Sequence, residues 1–236
     1  MNNAPHRTFV LVHCAWLGGF AWRDVLVRLR ALGHTATAPT LTGLGERRHT
    51  GNATADLETH IEDIVAHIEM EDLRDITLVG WSYAGMVVTG VLARIPERIK
   101  ELVYLDAFMP EDGRALVDYI TPDQRAFYDT YKDKNLPLPP LPLSVFGVTD
   151  SAIKAYLEPR LTAHPWRTCY QPVTALKVRP DIPVSYVVCT GYGESAITRR
   201  LAEMEPDPAM RVITINTSHF PMLTAFEETM VALLNE

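Results

Sequence analysis

The chain has 236 residues, 47% of them hydrophobic and 22% charged, a size and balance that fit one compact domain, 1–236, with a sizeable core. Its formal charge of −7 and the absence of any dense Lys/Arg run exclude the basic footprint that nucleic acid or an anionic membrane surface requires. No stretch approaches the roughly 18 apolar residues of a membrane span, and "MNNAPHRTFVLVH" lacks the basic-then-apolar order of a leader, so the expected location is the cytoplasm.

The expected partner is a small molecule, and a homodimer is compatible with the composition without being dictated by it. Three cysteines, Cys14, Cys169 and Cys189, are odd in number and far apart, which suits neither a disulfide framework nor a paired metal site. The eight histidines never fall into a ligand spacing, so no metal is expected.

Along the chain, short apolar runs recur at 8–13, 35–39, 76–80, 102–106, 184–189 and 211–215. Most are continuous rather than alternating, as in strands buried on both faces. Between them lie helical patterns over 20–32, 57–70, 83–94 and 220–234; in 57–70, Leu57, Ile61, Ile64, Val65 and Ile68 trace one apolar stripe. Strand alternating with helix predicts a mostly parallel sheet of about six strands covered on both faces.

The first strand runs into "LVHCAWLGGFAW" (11–22), a loop whose glycines Gly18 and Gly19 lead into a helix. Such a loop supplies an oxyanion-hole amide, assigned to Ala15 with Tyr83 N–H as its partner. His13, at the strand end, reads as a supporting hydrogen-bonding residue rather than a base.

"ITLVGWSYAGMVV" is the strongest motif: a buried strand, then Gly80-Trp81-Ser82-Tyr83-Ala84-Gly85, then an apolar helix. A nucleophile elbow needs this context, because the serine sits on a strained strand-to-helix turn flanked by small residues. Gly80 and Ala84 are both small, and Ser82 is the candidate nucleophile.

Residues 108–175 break the strand–helix rhythm with the proline-rich "NLPLPPLPLSVFG" and short helical stretches around 121–132 and 150–158. An insertion of this length with many aromatics reads as a helical cap over a site. Trp81, Phe127, Tyr128, His164 and Trp166 are the side chains expected to meet substrate. Near the end, "VITINTSHFPML" places His219 on the turn after the last strand, where a base can reach the serine at the sheet's carboxyl edge.

"FVLVHCAWLGGFAW", "GHTATAPTLTGLGER", "GWSYAGMV", "LVYLDAFMP" and "TSHFPMLT" together resemble, in family order, the α/β-hydrolase superfamily. Within it they are similar to the small plant and bacterial group of methyl-ester-cleaving esterases and hydroxynitrile lyases. The resemblance implies the α/β-hydrolase fold, a Ser–His–acid mechanism with an acyl-enzyme, and no cofactor. It also implies an acid in a stretch like "CTxD" after the penultimate strand, but here that stretch is Cys189-Thr190-Gly191-Tyr192.

Asp106, ending "LVYLD", is the preferred substitute, because a strand terminus fixes a carboxylate more rigidly than a Gly-flanked loop does. Glu194 and a Ser–His dyad without an acid remain alternatives. The expected activity is hydrolysis of a small to medium apolar or aromatic carboxylic ester. A lyase of the plant type is disfavoured by Phe220 and Cys14, which stand where that type carries lysine and threonine. A cyclase or thioesterase using the same serine, and a non-catalytic receptor on the same scaffold, stay open.

Overall fold

The computed structural model describes residues 5–51, 54–178, 180–205 and 207–235; the first four residues of the stretch read for a leader lie outside them. Among the described residues, β1 (Thr8–Val12), β2 (Thr35–Thr37), β3 (Ile76–Trp81), β4 (Ile99–Leu105), β5 (Val184–Cys189) and β6 (Met210–Ile215) form one sheet. Its order is β2-β1-β3-β4-β5-β6, and every neighbouring pair is parallel. The expected α/β fold with a parallel six-stranded sheet is the one observed.

The continuous apolar runs are explained by two cores, one on each face. Val10, Val12, Leu78, Leu102 and Tyr104 pack on one side with α2 (Leu57–Met70) and α3 (Ala84–Arg94). Phe9, Leu11, Val79 and Val103 pack on the other with α1 (Arg23–Ala31) and α9 (Phe226–Leu234). Alternate side chains of one strand point to opposite faces, so a strand covered on both sides has no polar positions to alternate with.

Two of the boundaries that differ from the sequence expectation have a visible cause. β4 begins at Ile99 rather than near 102, because the buried Glu101 is neutralised within the sheet by Arg7 and accepts from Asn235 Nδ2 at 2.7 Å. A charge inside a strand hides its start from a hydropathy reading. The pattern over 220–234 divides into α8 (Pro221–Thr224) and α9, with Ala225 at φ −150° and ψ 60° breaking the helix.

Between β4 and β5 the chain forms α4 (Pro122–Asp133), α5 (Ser151–Leu157) and α6 (Arg167–Tyr170). This segment is tied to the loop after β1: Thr162 N–H donates to Trp16 O at 2.8 Å, and Trp16 Nε1 donates to Leu138 O at 3.2 Å. α7 (Ala196–Glu203) follows β5 and is opened by Ser195, whose hydroxyl accepts from Thr198 N–H.

The turn after β3 is set by close backbone approaches. A Cβ at Gly80 would lie 2.9 Å from the Ala84 carbonyl oxygen, whereas the Ala84 methyl itself is accommodated in the core. The tightest position is Gly85, where a Cβ would lie 1.8 Å from the Phe108 carbonyl oxygen. The glycine requirement therefore sits at Gly85, which is why alanine is tolerated at 84. Gly85→Ala is expected to cost about 1–3 kcal/mol of stability through overpacking, read as a lower denaturant midpoint at unchanged slope; an unchanged midpoint would show that the helix can shift without penalty.

Candidate active site

The strand order places the topological switch at β1, whose neighbours β2 and β3 lie on opposite sides, and ligands of open α/β sheets bind at the carboxyl ends of strands there. The loop after β1 and the turn after β3 meet at this point. Ser82 has φ +60°, a conformation costing on the order of 1–3 kcal/mol for a non-glycine residue. Its carbonyl accepts from Gly85 N–H and Phe108 N–H, each at 3.1 Å, and its own N–H donates to Leu105 O at 3.3 Å. These bonds hold the serine at the crest of the turn.

His219 follows β6. Its N–H donates to Phe146 O at 3.0 Å, its carbonyl accepts from Trp81 Nε1 at 2.8 Å, and Phe146 stacks on its ring at 5.3 Å. Its Nδ1 lies 2.5 Å from Asp106 Oδ2. Asp106 is fully buried, with φ +41°, and its Oδ1 accepts from Cys189 N–H at 3.0 Å. Since a carboxylate accepts, Nδ1 carries the proton and Nε2 keeps a lone pair. Glu194 instead points outward, 3.2 Å from Arg199, and its side chain is 71% exposed.

Tyr192 is not among the site residues the sequence points to, although Cys189-Thr190-Gly191-Tyr192 departs from the expected "CTxD" at this position. Its hydroxyl donates to Asp106 Oδ2 at 2.7 Å and lies 3.4 Å from His219 Nδ1. Burial, and then the Asp106 charge, push the phenol pKa above the ordinary tyrosine range, so it stays a donor. Gly191 before it lets the loop pass the chain after β6, since a Cβ there would lie 2.8 Å from the Thr217 backbone.

Ser82, His219, Ala15, Tyr83, Tyr128 and His164 all line one cavity of about 150 Å³. Tyr83 precedes the first turn of α3, where backbone N–H groups have no intrahelical acceptor. The cavity volume suits a benzene-sized ring.

Three of the expected pocket residues lie elsewhere. Trp81 is fully buried beneath the site, packed edge-on against Trp22 at 5.9 Å, and it supports the His219 loop instead of a ligand. Phe127, one residue from Tyr128, falls on another face of α4 and packs on Tyr131 at 5.1 Å. Trp166 donates to Asn135 Oδ1 at 3.1 Å and carries the Arg167 guanidinium over its ring. Phe146, absent from the expectation, lines the cavity together with Tyr192. Among the described residues no three His, Cys, Asp or Glu side chains gather into a metal-holding group.

Behind the cavity lies a layer of buried histidines. His13 Nδ1 donates to Cys14 O at 2.8 Å, and its Nε2 accepts from Leu41 N–H at 3.0 Å. His60 Nε2 donates to Thr42 O and its Nδ1 accepts from Tyr83 Oη, each at 2.8 Å. Both rings need the neutral form to make these bonds.

Ser82 on its strained turn and the aspartate-paired His219 line one cavity at the carboxyl edge of a parallel α/β sheet. The chain belongs to the alpha/beta hydrolase family, whose sequence profile matches residues 9–232. It is 45% identical over 150 residues to a carbendazim-hydrolysing esterase of Nocardioides sp., covering 59% of this chain and 62% of that protein. It is 30% identical to methylesterase 8 of Arabidopsis thaliana, over 44% of this chain and 38% of that one. These matches span less than two thirds of the curated relatives' own lengths. An extracellular α/β-hydrolase from a Paenibacillus species, described as sharing structural and functional homology with tobacco salicylic acid binding protein 2, superposes with a TM-score of 0.77 at 25% identity, covering 97% of each chain.

Burial lowers the His13 pKa from 6.5 to about 4 and lowers those of His60 and His164 as well. Below 6.5 the unfolded chain takes up protons that the folded chain refuses, so stability should fall as pH drops toward 4 and be flat in these groups above 7. For His13 alone the loss across that window is about 3 kcal/mol. Melting temperatures measured from pH 7.5 to 4.5 should decline, and the decline should be shallower in His13→Asn; equal slopes would contradict the assignment.

Proposed function

We propose that this protein is a serine hydrolase that cleaves a compact, largely apolar or aromatic carboxylic ester through an acyl-enzyme. The observation that carries the reading is the 2.5 Å contact between Asp106 and His219 Nδ1, which leaves Nε2 as a base on the cavity that Ser82 also lines. In this reading Ser82 Oγ attacks the ester carbonyl as His219 Nε2 takes its proton. The N–H groups of Ala15 and Tyr83 stabilise the oxyanion, and His219 passes the proton to the departing alkoxide. A water then gives a proton to the same nitrogen and attacks the acyl carbon, and His219 returns that proton to Ser82 Oγ as the acyl–oxygen bond breaks and the acid leaves.

The segment between β4 and β5 acts as a cap that shapes the acyl and alcohol space. The esterases among its relatives support the reaction class, and the carbendazim named for the Nocardioides protein belongs in the first substrate panel. The buried, free Cys14, Cys169 and Cys189 support a cytoplasmic setting.

Ser82→Ala should lower kcat/KM for aryl and alkyl esters by about 10³-fold or more and abolish fluorophosphonate labelling; undiminished labelling would reject the nucleophile. Asp106→Asn should cost roughly 10³–10⁴-fold with the fold intact by circular dichroism, while Glu194→Gln stays within about twofold. The opposite ranking would return the acid role to Glu194.

A further inference from the structure

The proposed reaction gives Tyr192 no task, yet its side chain is built into the site. Thr190 N–H donates to Ile215 O at 3.0 Å and Gly191 N–H to Thr217 O at 2.9 Å, so the loop after β5 is laced to the loop that carries His219. Gly147 of the cap lies so close that a Cβ there would stand 2.5 Å from the Tyr192 Cβ. The phenol ring meets the His219 imidazole, with ring centroids 5.6 Å apart. These contacts leave the hydroxyl little freedom.

That hydroxyl has one proton and three polar neighbours: Asp106 Oδ2 at 2.7 Å, Ser195 Oγ at 3.3 Å and His219 Nδ1 at 3.4 Å. The carboxylate is the nearest, carries a charge and has no proton to give, so it takes the phenol's. The same oxygen takes the Nδ1 proton of His219, while Cys189 N–H serves Oδ1. Asp106 is thus shared between the base and a phenol.

Hydrogen bonds to the charged form of a carboxylate stabilise that form and weaken its pull on a further proton. A second donor on Oδ2 therefore draws charge away from the bond to Nδ1, and the imidazolium is held less strongly than Asp106 alone would hold it. The other groups that face the ring are uncharged: Trp81 from β3, Phe146 from the cap and Phe220 from the same loop. Burial keeps the Cys189 thiol and the Tyr186 phenol beside Asp106 neutral, and likewise His164 on the same cavity. Glu194 is turned to Arg199.

We propose that Tyr192 is a positioning residue for the base: its hydroxyl fixes Asp106 Oδ2 and moderates how strongly the Asp106 pair holds a proton on His219, so that the base stays free in more acidic solution. This rests on the hydrolase reading for the word base but not for the shared carboxylate. A residue that only filled space would leave the titration of the histidine unchanged when its oxygen is removed.

The test reads the imidazole directly and the reaction separately. In protein with ¹⁵N-labelled histidine, the titration midpoint of His219 in Tyr192→Phe should lie about 0.5–1 pH unit above that of the unaltered chain. Tyr192→3-fluorotyrosine, which keeps the ring and makes the phenol a stronger donor, should move the midpoint the other way. The acid limb of kcat/KM should follow the imidazole: well below the midpoint, Tyr192→Phe should lose about 3- to 10-fold for aryl esters, and less above pH 8, with circular dichroism unchanged. A His219 midpoint that is equal in all three proteins, or that both replacements move in the same direction, would overturn the proposal. Opposite shifts in a protein that hydrolyses no ester would reject the hydrolase reading and leave the shared carboxylate standing.

Discussion

The contact between Asp106 and His219 fixes more of this molecule than any other. It joins two loops that are 113 residues apart in sequence and leave the sheet from strands separated by β5, so it holds only if the β4–β5–β6 register is kept. Asp106 N–H is itself bonded to Val187 O, and its Oδ1 to Cys189 N–H, so β5 grips the carboxylate from both its backbone and its side chain. The left-handed φ of +41° is the cost of aiming it sideways across β5, and aspartate is among the few residues that accept that conformation. Trp81 completes the arrangement from below, its indole N–H fixing the carbonyl of the residue whose ring Asp106 orients.

A second constraint is the layer of neutral histidines beneath the cavity. His13 ties the end of β1 to Leu41, and His60 ties α2 to Thr42 and to Tyr83. Each bridges one donor and one acceptor, a job that neutral imidazole does and that no aliphatic side chain can replace. The loop bearing Ala15 and the turn bearing Tyr83 are therefore positioned by side chains that protonation would disrupt. Desolvation prevents that protonation near neutral pH, at the cost of acid stability.

The fold was legible because its signals are local and redundant. Apolar strands with two covered faces, amphipathic α2 and the strand–turn–helix around Ser82 each announce themselves within a dozen residues. β4 was clipped at its charged start, since the partners that make Glu101 tolerable, Arg7 and Asn235, lie 94 and 134 residues away. The same reason explains the uneven reading of the site. Ser82, His219 and Asp106 end strands or open helices, so their placement follows from topology. Trp81, Phe127 and Trp166 were assigned from aromatic character, which does not say which way a side chain faces: one lies under the sheet's edge, one on an exposed face of α4 and one against Asn135. His164 is among the residues around the cavity, and its ring is held by Thr168, a contact that no spacing announces.

The missing carboxylate and the tyrosine that replaces it form one change rather than two. A carboxylate at position 192 would share His219 with Asp106, and two like charges beside one imidazole would drive one of them to bind a proton. Tyr192 avoids the conflict by presenting a donor to the oxygen that receives the histidine N–H, so Asp106 Oδ2 is approached by two donors, at 2.7 Å and 2.5 Å, with no competing acceptor. The phenol also fills the space a shorter side chain would leave and lines the cavity wall beside His219. In the same loop Glu194 pairs with Arg199 and Ser195 caps α7, so neither offers a second carboxylate to His219. An uncharged donor at position 192 leaves Asp106 as the carboxylate bonded to His219 Nδ1, with the phenol supporting the same oxygen.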